Sequence, residues 1–230
     1  MADGKRVALV TGGGKGIGRS AVLALARAGY DVAVNYSRSV GAAEKVAEEA
    51  QTLGARALLL QADVADEAAV RAMADRLGST FGRLDALVNN AGITTDTPPR
   101  DLDGLAMDEW DRIFAVNVRG LFQTTRAVAP LLRASPSAAV VNLASVVGLR
   151  PGPQPYPYSA SKAAIISLTQ TLAGVLGEDG VRVNAVAPGW MEGEWMEHAL
   201  GEKYEELMSR RAGARRCAAA SRPTRWPRPS

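Results

Sequence analysis

Tyr158 and Lys162 stand four residues apart in the run Tyr158-Ser159-Ala160-Ser161-Lys162. On a helix, residues four apart share a face, so the ammonium can sit close to the phenol oxygen. A tyrosine phenol titrates near about 10, and bringing it to about 7 takes roughly 4 kcal/mol at ~1.36 kcal/mol per unit. One positive charge at about 4–5 Å, in an effective dielectric near 20, supplies approximately that much. Such a pair makes a phenol a workable acid or base near neutrality, which an isolated tyrosine is not. Tyr156 lacks this partner, because the residue four beyond it is Ala160. Taken alone, Tyr-x-x-x-Lys is common by chance and usually structural.

Two glycine-bearing turns add a different chemistry. In Thr11-Gly12-Gly13-Gly14-Lys15-Gly16-Ile17-Gly18 the glycines permit a tight turn, close approach of backbone N–H groups to a pyrophosphate, and close helix–strand packing. The same run can also be a glycine-rich turn with no ligand. Asn89-Asn90-Ala91-Gly92 ends another apolar run, where an amide-and-glycine turn can line a cofactor or merely make a good turn.

These residues need a scaffold, and the chain's periodicity supplies one. Apolar β-branched runs alternate with alanine-rich helical stretches, the pattern of an α/β doubly wound parallel sheet of Rossmann type covered on both faces. Strands are predicted at 6–10, 32–36, 57–61, 86–89, 139–143 and 182–186. Helices are predicted at 16–28, 41–53, 67–77, in a long stretch within 105–132, and at 159–176. Gly29, Gly54, Gly78 and Gly177 each follow a helical run where a left-handed cap would sit. Pro151, Pro153, Pro155 and Pro157 make a stiff segment that must stop before a helix, which places Tyr158 at or near a helix start. Residues 190–208 read as one or two amphipathic helices. In an open parallel sheet, ligands bind outside the carboxyl ends of the strands at the switch point, and the first and fourth strands flank that crevice.

The composition is that of a globular protein: 230 residues, 47% hydrophobic and 22% charged, which excludes a disordered, collagenous or coiled-coil chain. One cysteine, Cys217, excludes an internal disulfide framework and a cysteine-based metal site, so no metal is expected. No signal peptide or membrane span is expected, and the location expected is cytoplasmic. The net charge of +3 raises the question of a nucleic-acid partner. Yet residues 210–230 hold seven arginines and no acid, so residues 1–209 carry −4. The basic excess belongs to the tail alone, and no nucleic-acid partner is expected.

Together these motifs resemble the short-chain dehydrogenase/reductase family, in family order and at family spacing across residues 5–208. The resemblance rests on Thr11-Gly-x-x-x-Gly-Ile-Gly18, on Asn89-Asn-Ala-Gly92, and on Ser145 thirteen residues before Tyr158. It is completed by the Tyr158/Lys162 pair and Pro188-Gly189. The nearest look is to 3-oxoacyl-(acyl-carrier-protein) reductase-like and glucose-dehydrogenase-like members. The resemblance implies strand order 3-2-1-4-5-6 and hydride transfer between a nicotinamide and a carbonyl or secondary alcohol. Tyr158 would pass a proton to the carbonyl oxygen, and Lys162 would lower its pKa and hold the nicotinamide ribose. Ser145 would hydrogen-bond the substrate oxygen, and Asn117 would hold a water for proton relay. Cofactor contacts would come from Gly12, Gly14, Lys15, Gly16, Ile17, Gly18, Arg38, Asp63, Val64, Asn89, Ala91, Gly92, Tyr158, Lys162, Pro188, Gly189 and Met191, with Asp63-Val64 beside the adenine.

An NAD-binding fold usually carries an acid about 20 residues beyond the glycines to grip the ribose 2′-hydroxyl. Here that position reads Asn35-Tyr36-Ser37-Arg38, and Lys15 and Arg38 can both face a 2′-phosphate, so NADP(H) is expected over NAD(H). The family usually has threonine where this chain has Gly193. Trp190, Met191, Trp195 and Met196 form either an apolar substrate wall or plain helix packing, and His198 is a lone exposed histidine with no assigned role.

After Met208 the resemblance implies another helix and a last edge strand ending in Val-Asp-Gly-Gly. The residues from Arg210 onward have instead the Arg/Ala/Pro/Ser composition that an out-of-frame reading of GC-rich DNA encodes. We therefore expect one domain at 1–209 without that edge strand, and a basic unstructured tail at 210–230 arising from a frameshift. A homo-oligomer is the family expectation. A catalytically silent dinucleotide-binding scaffold is the alternative function.

Overall fold

The computed structural model describes residues 4–150, 155–189, 197 and 201–209. Residues Met1–Gly189 form one compact unit. Its strands β1 (Val7–Val10), β2 (Asp31–Tyr36), β3 (Ala57–Gln61), β4 (Ala86–Asn89), β5 (Ala139–Leu143) and β6 (Arg182–Val186) build one parallel sheet, ordered β3-β2-β1-β4-β5-β6. Six helices connect them: α1 (Gly16–Arg27), α2 (Val40–Thr52), α3 (Glu67–Phe81), α4 (Met107–Phe114), α5 (Gly120–Arg133) and α6 (Tyr156–Gly177). Successive strand residues point to opposite faces, so Leu9 enters the core under α3, α5 and α6, while Val10 enters the one under α1 and α2. Both faces are apolar, which explains why β1 reads as an uninterrupted hydrophobic run.

The predicted elements agree with these to within one residue at most ends; α6 starts at Tyr156 rather than 159, taking Pro157 into its first turn, where a proline is tolerated, and three further departures have identifiable causes. The helix predicted to stop at 77 runs to Phe81, because Phe81 still packs against the core, and the left-handed cap falls at Gly82 rather than Gly78. Gly177 is likewise the last residue of α6. The positive φ lies at Gly180, beyond which the Val181 N–H reaches back to the Leu176 carbonyl at 3.0 Å. The single long stretch expected within 105–132 is two α-helices joined by a π-helical turn, Ala115–Arg119. Gly29 and Gly54 do adopt the predicted left-handed conformation.

Polar side chains inside the sheet are bonded to one another. Asn89 Nδ2 donates to Thr125 Oγ1 at 3.0 Å and to Asn142 Oδ1 at 2.9 Å, and Asn142 Nδ2 donates to Thr169 Oγ1 at 2.9 Å. The chain of bonds ties β4, β5, α5 and α6 together beneath the strands' carboxyl ends. Beyond Gly189, a 3-10 turn at Gly201–Lys203 leads into helical residues 204–209. Among the described residues, no helix is long and apolar enough to cross a membrane. The expectations for Trp190, Met191, Gly193, Trp195, Met196, His198 and the tail from Arg210 lie outside the described residues.

At the amino ends of the strands, Asp85 is the hub. Its buried carboxylate accepts from the Val7 N–H (2.8 Å), from Arg83 (3.0 and 2.5 Å) and from the Ser135 hydroxyl (2.5 Å). Burial alone would raise its pKa, but Arg83, Ser135 and the Val7 N–H together hold it below the ordinary carboxylate value. Its ionised form is therefore favoured in the folded state. The stability it contributes is present above the unfolded carboxylate pKa and is lost as pH falls through the lower folded value. Asp85→Asn is expected to lose about 3 kcal/mol at pH 7 in denaturant unfolding and to flatten the fall in stability below about pH 4. An acid limb unchanged in the variant would contradict this.

Candidate active site

The glycine run turns sharply out of β1 because Gly12 takes a φ of +62° and because nothing larger than a hydrogen fits at Gly18. A Cβ on Gly18 would run into the Gly12 carbonyl oxygen and would lie 2.5 Å from Asn90 Nδ2. Helix α1 begins directly after Lys15, with no side-chain cap and no acid in its first turn. Its first N–H groups and its positive dipole end are thus left to an anion, so the turn fits the pyrophosphate of a dinucleotide.

Three side chains hold this turn in roles that the sequence motifs did not assign. Asn35, 1% exposed, accepts from the Gly12 N–H at 3.2 Å and donates to the Leu60 and Ala62 carbonyls at 3.1 and 3.0 Å. Thr11 Oγ1 accepts from the N–H groups of Asn90 and Ala91, each at 3.0 Å. Asn90 Nδ2 donates to the carbonyls of Thr11 (2.9 Å) and Gly12 (3.0 Å), locking the β1 and β4 turns together. The one available signal was an amide at an inward position of an otherwise apolar strand, which must be hydrogen-bonded if buried. Asn89 itself points into the sheet, so only its backbone is at the turn.

Beside the β4 turn, the π-helical segment presents Asn117, 1% exposed. Its Oδ1 accepts from the Ile93 N–H at 2.8 Å, and its Nδ2 donates to the Ile93 carbonyl and to Ser161 Oγ, each at 3.0 Å. Ser161 Oγ in turn donates to the Tyr158 carbonyl at 2.7 Å. A Cβ on Gly92 would lie 3.3 Å from Asn117 Oδ1 and 3.7 Å from Lys162 Nζ, so the structure brings Gly92, Asn117 and Lys162 together.

Tyr158 and Lys162 lie in the first two turns of α6. Ser145, at the end of β5, opens a 3-10 turn at Val146–Gly148. Gly148 lets that turn touch the helix: a Cβ there would fall 2.7–2.8 Å from the backbone of Lys162 and Ala163. Ser145 Oγ donates to the Pro188 carbonyl at 3.4 Å, which brings the Pro188-Gly189 turn to the same place. Tyr156 points elsewhere, its hydroxyl donating to the Pro99 carbonyl at 2.6 Å.

The electrostatics differ from the sequence expectation. Lys162 Nζ donates to the Leu143 carbonyl at 2.6 Å and lies 5.5 Å from the centroid of the Tyr158 ring. Burial pushes the Tyr158 phenol above its ordinary pKa, opposed by its hydrogen bond with Ser145. Burial also pushes Lys162 down, to about 8. Burial thus disfavours the ammonium itself, and the net direction of the phenol shift is upward, opposite to the expectation.

At the far end of the crevice, Asp63 Oδ1 accepts from the Ala65 N–H at 2.9 Å and Oδ2 pairs with Arg112 at 2.5 Å. Burial tends to raise the Asp63 pKa, but the Ala65 N–H, Arg112 and Arg38 hold it below the ordinary value. Val64 packs on α5 at Gly120, where a Cβ would lie 2.8 Å from Val64 Cγ2, and its carbonyl accepts from Gln123. Lys15, Ile17 and Arg38 are exposed at the glycine-run end.

A glycine turn, a β4 amide turn and a Ser-Tyr-Lys cluster at the carboxyl ends of a 3-2-1-4-5-6 sheet coincide with a family match. The family model described as short chain dehydrogenase covers residues 6–204. The chain belongs to this family. Like its named relatives, a short-chain dehydrogenase of this kind is an oxidoreductase. The chain is 44% identical over 201 residues to a 3-oxoacyl-(acyl-carrier-protein) reductase, FabG, of Staphylococcus aureus, covering 87% of this chain and 80% of the relative. A reductase of the same description from Synechocystis is 40% identical over 197 residues, covering 86% and 78%. Among solved structures, a short chain dehydrogenase from Burkholderia cenocepacia in complex with NADP matches with a TM-score of 0.80 and 40% identity, covering 89% of this chain and 82% of that one. An NAD+-bound xylitol dehydrogenase matches at 0.79 and 33%, covering 90% and 76%.

The contact at Gly148 generates a prediction for this short-chain dehydrogenase. Gly148→Ala must push the Ser145 turn off α6. It is expected to lower turnover about a hundredfold while the protein still folds, as seen by circular dichroism. Unchanged turnover would show that the Ser145–Tyr158 spacing does not depend on this contact.

Proposed function

We propose that this enzyme is an NADP(H)-dependent carbonyl reductase or alcohol dehydrogenase of the cytoplasm, acting through Ser145, Tyr158 and Lys162 with help from Asn117. The observation that carries this reading is the meeting of those four side chains beside the β4 turn, at the mouth of a glycine turn shaped for a pyrophosphate. When bound, the nicotinamide supplies or accepts the hydride. Ser145 donates its hydroxyl to the substrate oxygen, and Tyr158 gives its proton to that oxygen as it becomes an alcohol. Of the three Lys162 donors, one is spent on Leu143, which leaves two for the nicotinamide ribose hydroxyls. Both amide protons of Asn117 are spent on Ile93 and Ser161, so a relay water there must donate to Asn117 rather than accept from it.

Preference for NADP(H) is supported by the absence of an acid at the end of β2, by Lys15 and Arg38 there, and by the likeness to an NADP complex. The remaining predicted contacts, Gly12, Gly14, Gly16, Ile17, Gly18, Asp63, Val64, Asn89, Ala91, Gly92, Pro188, Gly189 and Met191, are proposed to line the same cofactor. The small-molecule substrate class to test first is a 3-oxoacyl thioester, on the strength of the reductase relatives.

The test is NADPH oxidation with a panel of 3-oxoacyl thioesters, ketones and aldehydes. Turnover with at least one of them is expected, with Tyr158→Phe losing it at least a hundredfold while keeping NADPH affinity. Binding without turnover across the panel would favour a dinucleotide-binding scaffold instead. As the pH rises through about 8, Lys162 loses the proton that makes it a cation, so the reduction rate is expected to fall over that range. Deprotonation leaves one donor for the two ribose hydroxyls, so a rate flat from pH 7 to 9.5 would contradict the role given to the three Lys162 donors.

A further inference from the structure

The register of β2 on β3 pairs Tyr36 with Gln61, and Gln61 Nε2 donates to the Ser37 carbonyl at 3.2 Å. Arg38 and Asp63 therefore leave the sheet side by side, each two residues past the last paired position. One is a cation and the other a carboxylate, and nothing in that arrangement by itself keeps them apart. The carboxylate is held from the other direction. Arg112, on α4, brings Nη2 to 2.5 Å from Asp63 Oδ2, and the Ala65 N–H takes Oδ1 at 2.9 Å.

We propose that Arg112 is a specificity-determining residue: by occupying the Asp63 carboxylate, it leaves Arg38 available to the 2′-phosphate of a phosphorylated dinucleotide. This rests on the NADP(H) reading of the site. Without Arg112, Asp63 competes with the phosphate for Arg38 and adds an uncompensated negative charge beside it. Both effects weaken a ligand carrying the 2′-phosphate and leave one without it nearly untouched. The depression of the Asp63 pKa by both arginines agrees with a carboxylate lying within electrostatic reach of each. Arg112 and Asp63 are both partly exposed, at 40% and 35%, so the effect is of surface ion-pair size and salt-sensitive.

The experiment is a titration of the full chain with NADPH and with NADH, followed by protein fluorescence or calorimetry, with no substrate present. In Arg112→Gln, the ratio of NADPH to NADH affinity is expected to fall about two- to fivefold at low salt, and less at high salt. Arg112→Lys is expected to recover part of the ratio. Asp63→Asn combined with Arg112→Gln is expected to restore it, since no carboxylate remains to compete. In an Arg38→Ala background, Arg112→Gln is expected to leave the ratio unchanged. Equal loss of both affinities in Arg112→Gln would mean that the ion pair merely supports the loop, and would overturn the proposal. A native chain that binds NADPH no better than NADH, and is indifferent to Arg38→Ala, would overturn the NADP(H) reading itself and this inference with it.

Discussion

A lysine ammonium held 5% exposed is the constraint around which this site is built. Removing a charge from water is costly unless a partner replaces the water, and Lys162 donates to the Leu143 carbonyl at the end of β5. Its depression to about 8 corresponds to a cost of about 3 kcal/mol at neutral pH. A fold does not usually keep such a cost at a position of no use, and perturbed groups of this kind cluster at functional sites. The surroundings are arranged to tolerate it. Gly92 leaves room beside the ammonium, and Gly148 lets the Ser145 turn close onto the helix backbone at Lys162 itself. The Asn117–Ser161 bond pins the same turn of α6 to the loop after β4.

The rest of the architecture supplies the rigidity that this arrangement requires. The sheet is tied at one end by Asp85 and, toward the carboxyl ends, by the Asn89–Asn142–Thr169 bonds. Side chains that must meet within ångströms come from β4, β5, α6 and the π-helical turn, and each is fixed by bonds between those elements as well as within them. A π-helical turn changes the angular phase of the helix, and here it lies where Asn117 has to face Ile93 and Ser161 together.

Much of this was legible in the residues. Apolar runs placed the strands, most plainly in β1, whose four residues are all buried, whereas β6 at the sheet edge buries only Val183. The Tyr158/Lys162 spacing, Ser145 and the two glycine-bearing turns located the site, because helix geometry and turn chemistry are local. What was not legible depends on contacts between distant segments. Gly78 looks like a cap locally, yet Phe81 finds core to pack against and α3 continues one turn further, and beyond Gly177 the positive φ falls at Gly180. Asn35 and Arg112 belong to no local motif, Asn90 and Ser161 sit inside motifs that assign them no role, and the partners that fix them lie on distant segments of the chain. The direction of the Tyr158 shift differs from the expectation for a related reason. Spacing brings the lysine near, but burial and the Leu143 carbonyl, which no spacing reveals, decide where its charge points.

Lys162 is a buried cation that burial destabilises, and its own titration is the test. Lysine side-chain resonances can be followed by heteronuclear NMR from pH 6 to 11, with the Lys162 signal assigned by its disappearance in Lys162→Met. The structure predicts that Lys162 titrates near about 8. A Lys162 resonance titrating at the ordinary lysine value, near about 10.4, would contradict this.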